Sequence, residues 1–170
     1  MPVRAEIRGS QRLYDKWKRM AEVAQGRTLE RALTAGALLI QNSAKRRAPW
    51  RSGNLKRSIH IGGHEDMADD YADIEQTVGE VSRPNVGRHS AEVFVGTNVE
   101  YARIQEYGGT ITPTSSARLH FRLDDGTEVF AKRVTIPAQP YLRPAVDEDG
   151  RAAQREAVDA LAELIRKAMD

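Results

Sequence analysis

The side chains with chemical potential are few, and their spacing limits what they can do. The four histidines are His60, His64, His89 and His120. His60 and His64 stand four residues apart but straddle Gly62-Gly63, so a metal pair on one helical turn is not expected. Asp66, Asp69 and Asp70 add oxygen donors without completing a ligand set. Carboxylate neighbours such as Glu65-Asp66 lie in a polar stretch, where no burial raises a pKa toward that of a general acid. Ser52-Gly53 follows a helical pattern rather than a strand, so it is no nucleophile elbow. Gly62-Gly63 and Gly108-Gly109 lack the glycine spacing of a dinucleotide fingerprint or a phosphate loop. There is no cysteine, which excludes a disulfide scaffold, a thiolate-bound metal and a cysteine nucleophile. The chain is therefore expected to be no enzyme and to carry no cofactor or metal. Hydrolysis by His60, His64 and the nearby carboxylates is the least supported reading.

The remaining chemistry is electrostatic. The formal net charge of +2 hides a segregation. Residues 1–57 carry 14 Lys/Arg against 4 Asp/Glu, whereas residues 58–82 carry 7 Asp/Glu and no Lys/Arg. Three arrangements suit this pattern: a face for a polyanion, a basic face on one copy meeting an acidic face on another, or mutual neutralisation within one monomer. The densest cluster is Lys45, Arg46, Arg47, Arg51, Lys56 and Arg57. A helix C-terminus attracts cations through its dipole, but six in thirteen positions exceed what capping needs. They suit non-specific phosphate contact. Only Trp50 interrupts them, so stacking on single-stranded bases is not indicated.

The elements that must hold these residues follow from periodicity. With 170 residues, 40% hydrophobic and 29% charged, the chain reads as one soluble domain. No apolar run approaches the roughly 18 residues of a membrane span. Met1–Glu6 is too polar for a signal peptide, so synthesis in the cytoplasm is expected. Val3–Arg8 alternates as a strand does. Leu13, Trp17, Met20, Ala21 and Ala24 have helical spacing, with Gly26 as a stop. Thr28 is positioned as an N-cap for a long helix through Leu29, Leu33, Gly36, Ala37, Ile40 and Ala44, ended by Pro49. Strands are expected at 58–61, 91–96, 119–123, 128–131 and 134–136, with Asp124-Asp125-Gly126 turning a hairpin. Residues 64–89 form an acidic surface excursion with a short helix around 68–74, and residues 1–27 an N-terminal strand and helix elaboration. A short helix spans 100–107 with Gly108-Gly109 behind it, residues 137–144 run extended, and a helix runs from Asp147 to the end. The order predicts an α+β fold: an antiparallel sheet, a long N-terminal helical segment and a C-terminal helix packed on one face.

Four segments in sequence carry a family resemblance: Ala44-Lys45-Arg46-Arg47-Ala48-Pro49, Ser52-Gly53-Asn54-Leu55-Lys56-Arg57-Ser58-Ile59, Tyr101 to Gly109, and Ile136-Pro137-Ala138-Gln139-Pro140-Tyr141-Leu142-Arg143-Pro144-Ala145. Together they resemble the tailed-bacteriophage neck and tail-completion family of virion morphogenesis and tail-component proteins, over residues 28–170. The resemblance implies a non-catalytic virion protein at the head–tail junction, made in the host cytoplasm. It implies a homo-oligomeric ring, most simply a hexamer, joining the tail-tube protein to a head-connector or head-closure protein, with DNA passing through. On this basis Asp69, Asp70, Asp73, Tyr101, Glu106, Tyr107, Pro140, Tyr141, Leu142 and Arg143 are candidate subunit contacts. The basic cluster is a candidate lumen, phosphate or partner surface. Pro140 and Pro144 stiffen a segment whose Tyr141 and Leu142 suit a groove on the same subunit or a neighbour, although a plain crossover into the last helix reads equally well. The alternative function is a basic nucleic-acid-binding accessory protein.

Overall fold

A computed structural model describes residues 10–50, 53–62, 85–114, 116–123 and 125–169. The expected strand at 3–8 and helix at 68–74 lie outside them. The described residues form five helices and eight short strands. The helices are α1 (Ser10–Val23), α2 (Gly26–Arg47), α3 (Asn54–Ser58), α4 (Ala102–Tyr107) and α5 (Leu142–Met169). The strands are β1 (His60–Gly62), β2 (Asn85–Val86), β3 (Ala91–Glu92), β4 (Phe94–Gly96), β5 (Gly109–Ile111), β6 (Leu119–Arg122), β7 (Glu128–Ala131) and β8 (Val134–Ile136). The fold is α+β with antiparallel pairing throughout the described strands.

Those strands divide into four two-stranded ribbons, β1–β4, β2–β3, β5–β8 and β6–β7. Strands of two to four residues cannot by themselves build a broad apolar face, so the helices supply the core. The central element is α2, which packs on α5 and also touches β1 to β4. Its seam with α5 is lined by small residues. A Cβ on Gly36 would stand 2.3 Å from the Ala153 carbonyl oxygen, and Ala32 and Ala153 are buried. The apolar period of α2 is thus met by Ala32 and Gly36, while Leu33 is left exposed.

Helix starts differ from the sequence reading for local reasons. Gly26 opens α2 rather than stopping α1, because its N–H donates to the Arg88 carbonyl and a Cβ there would meet the Gly87 oxygen at 2.8 Å. Thr28 then lies inside the first turn. Helix α5 begins at Leu142 instead of Asp147, so the extended run ends at Tyr141 and Pro144 sits in the first turn. Proline is tolerated there because that N–H has no partner within the helix.

Candidate assembly interface

All four segments of the family pattern meet in one place. The core cluster comprises Ala44, Ala48, Leu55, Ile59, Val99, Ala102, Tyr141 and Ala145, with Ile40, Val95, Tyr101 and Leu142 packed against it. Ala44 and Ala48 come from the end of α2. Leu55 and Ile59 follow a turn at Gly53, whose φ of 79° is left-handed. Arg57 donates to the Asn54 side chain at 2.6 Å, and Ser58 Oγ donates to the Leu55 carbonyl at 2.8 Å, which closes α3 before β1 begins. Buried Gln41 donates to the Ile59 carbonyl at 2.9 Å and ties α2 to that turn.

Glu106 joins α4 to the same core. Its side chain is 6% exposed, and its carboxylate accepts backbone N–H bonds from Tyr141 (2.8 Å), Leu142 (3.0 Å) and Arg143 (3.0 Å). These are N–H groups at the start of α5 that the helix leaves without partners, so a residue 36 positions earlier caps it. Burial alone would raise the Glu106 pKa; the N–H bonds from Leu142, Tyr141 and Arg143 and the Arg143 charge outweigh it and hold the pKa below the usual 4.5. Tyr141 is 2% exposed, and burial first, then the Glu106 charge, pushes its phenol pKa up. Gly108 follows at φ 67°, where a Cβ would stand 2.7 Å from the Ala138 nitrogen. The Gln139 N–H donates to the Gln105 carbonyl at 2.7 Å.

The ten candidate subunit contacts therefore separate. Tyr101, Glu106, Tyr141 and Leu142 are drawn into the joint between α4 and α5. Tyr107, Pro140 and Arg143 remain exposed, with the Arg143 guanidinium 5.0 Å from the Tyr107 ring centre. Asp69, Asp70 and Asp73 lie outside the described residues.

The basic cluster gathers at the C-terminal end of α2 and on α3, with Arg51 outside the described residues. Arg47 forms an ion pair with Glu148 of α5, an acid that sequence distance concealed. Arg46 and Lys56 are exposed without an ion pair among the described residues, and Lys56 stands 5.8 Å from the ring centre of Trp50, itself 73% exposed. Lys45 is half-buried; that burial, and then the nearby Lys56 charge, lower its pKa. This end of the molecule thus holds more positive charge than its own described carboxylates compensate. Among the described residues no group of His, Cys, Asp or Glu could hold a metal ion. His60 is buried in β1 beside the Ser58 carbonyl, and His120 lies on the β6–β7 ribbon. Among the described residues no helix is long and apolar enough to cross a membrane.

The chain belongs to the HK97-gp10-like family, described as "Bacteriophage HK97-gp10, putative tail-component", whose sequence profile matches residues 11–108. Comparison with curated proteins and with solved structures returns no match. The chain is a structural phage tail protein and a component of the virion, where it meets other virion proteins.

Proposed function

We propose that this tail component acts at the head–tail junction as a tail-completion or head–tail joining protein. Copies close into a ring, most simply a hexamer, between the tail-tube protein and the connector or head-closure protein, and DNA passes through it. Heterologous surfaces related by rotation build such a ring without any chemical step. The observation that supports this most is the uncompensated positive end of α2 and α3, where Lys45, Arg46 and Lys56 have no carboxylate partner among the described residues. Lys45, Arg46, Arg47, Arg51, Lys56 and Arg57 face the channel or the adjoining ring in this reading. Acidic residues Asp69, Asp70 and Asp73 serve a neighbouring copy.

Antibody labelling of intact virions, imaged by electron microscopy, tests the location. Label at the neck supports the proposal, and label confined to the tail tip or the head contradicts it. The alternative of a basic nucleic-acid-binding accessory protein draws on the same cations and on exposed Trp50. It predicts salt-dependent DNA binding by isolated monomers and no label on virions.

A further inference from the structure

Between Gly108 and Pro137 two separate antiparallel ribbons, nested in sequence, make up an arm: β5 pairs with β8, and β6 with β7. The family match ends at Gly108, where the arm starts. Its base is held by Gly108 and by the Gln139–Gln105 bond. Neither edge of the ribbon pairs with a further strand among the described residues. An isolated two-stranded ribbon is marginal in water, and its open edges are templates for another strand.

The turn chemistry fixes which backbone groups point outward. Gly126 (φ 86°) donates to the Leu123 carbonyl and Leu123 donates to the Thr127 carbonyl, both at 2.9 Å, which makes Leu123 and Thr127 a hydrogen-bonded pair. Antiparallel pairs alternate. Arg122↔Glu128 and His120↔Phe130 are therefore the non-bonded pairs, and their N–H and C=O groups face away from the ribbon. The His120 and Phe130 rings stack at 4.5 Å, as the closer spacing of a non-bonded pair favours. Over the paired length the one arginine lies on β6, at Arg122, and the one acid on β7, at Glu128.

We infer that the arm pairs edge to edge with the arm of a second copy, β6 of one against β7 of the next. In a ring whose arms run along its axis, rotation leaves the arms parallel, so the outgoing β6 of one copy and the returning β7 of its neighbour run antiparallel. The two edges are complementary in charge, because Arg122 of one copy then lies beside Glu128 of the next, repeating the Arg122–Glu128 pair at 3.1 Å inside each arm. The contact is heterologous, so it can continue around a ring. The inference rests on the homo-oligomer in the proposed function and specifies how copies join.

His120→Pro and Phe130→Pro each remove an outward N–H without breaking a bond inside the ribbon, which blocks one edge apiece. His120→Ala and Phe130→Ala remove the stacking but leave the edges intact. Sedimentation of the full-length protein should find wild type and both alanine variants oligomeric and each proline variant monomeric. An equimolar mixture of the two proline variants should yield dimers, since one free β6 edge and one free β7 edge remain. As a check that does not alter the backbone, Glu128→Lys should weaken assembly at least tenfold, and mixing it with Arg122→Glu should restore association. Monomeric wild type, or proline variants that assemble as wild type does, would overturn the edge contact. Neck labelling of virions with intact assembly in the proline variants would overturn it while leaving the proposed function standing.

Discussion

Glu106 concentrates several functions of the fold in one side chain. Its carboxylate satisfies the N–H groups of Tyr141, just before α5, and of Leu142 and Arg143, its first two residues, from a helix that lies before the arm. Glu106→Gln keeps an acceptor oxygen but loses the charge and the second carboxylate oxygen. Thermal or denaturant unfolding should register a loss of about 1–3 kcal/mol, the range for a charge-assisted bond left unmade. The pH dependence has a definite sign. The folded-state pKa is depressed, so the stabilisation is complete above the usual 4.5 and fades as pH falls through the lower folded-state value. The gap between wild type and variant should narrow in acid; a gap independent of pH would mean the carboxylate charge contributes nothing. Sequence reading placed Glu106 among subunit contacts because nothing in the order of residues reveals that Tyr141, Leu142 and Arg143 present free N–H groups to it. Arg47 carries the same lesson, since Glu148 lies 101 residues away.

At the scale of elements, the short helix expected at 100–107 and found at 102–107, the hairpin turned at Gly126 and the long helix ended before Pro49 were all legible, because each has local signals: a glycine, a proline, a clean period. The division into four ribbons was not, because which short strands pair depends on contacts between residues distant in sequence, such as α2 against β1 to β4. The face of α2 was legible at Gly36, Ile40 and Ala44 but not at its N-terminal half, where close approach to α5 favours Ala32 over the larger Leu33. The start of α5 differs from the extended reading of 137–144 because Pro144 is accepted in a first turn that Glu106 caps from outside. Tyr141 at the end of the proline segment is buried in its own subunit's core, and the chain enters α5 at the next residue. Tyr141→Ala with Leu142→Ala should cost roughly 3–5 kcal/mol of stability, in line with removal of a buried aromatic. Denaturant unfolding reads this directly, and a change under 1 kcal/mol would mean the segment is only a connector.

At the scale of the whole molecule, charge is the feature that folding leaves unresolved. Arg46→Gln, Arg47→Gln and Arg51→Gln together should leave the chain folded, because surface changes stay near 0.5 kcal/mol each and the exposed Arg47–Glu148 pair adds at most about 1 kcal/mol. The yield of infectious, DNA-retaining particles should nevertheless drop; full titre would reduce the cluster to a solvated helix end. Asp69→Lys, Asp70→Lys and Asp73→Lys should impair assembly of soluble, folded subunits, as sedimentation would reveal, and unchanged assembly would rule out an acidic contact between copies. The family was legible in the sequence because three of the four segments, those at 44–49, 52–59 and 101–109, fall within or at the edge of the matched residues 11–108, while the fourth, at 136–145, lies beyond them and joins the same core. The position in the virion was not, because it depends on surfaces of other proteins. Electron cryo-microscopy of the virion neck tests that position most directly. A closed ring of this chain between tail tube and head connector, with the ends of α2 and α3 lining the channel or the adjoining ring, is the predicted result. A neck density built without this chain, or the chain found only elsewhere in the tail, would contradict the account.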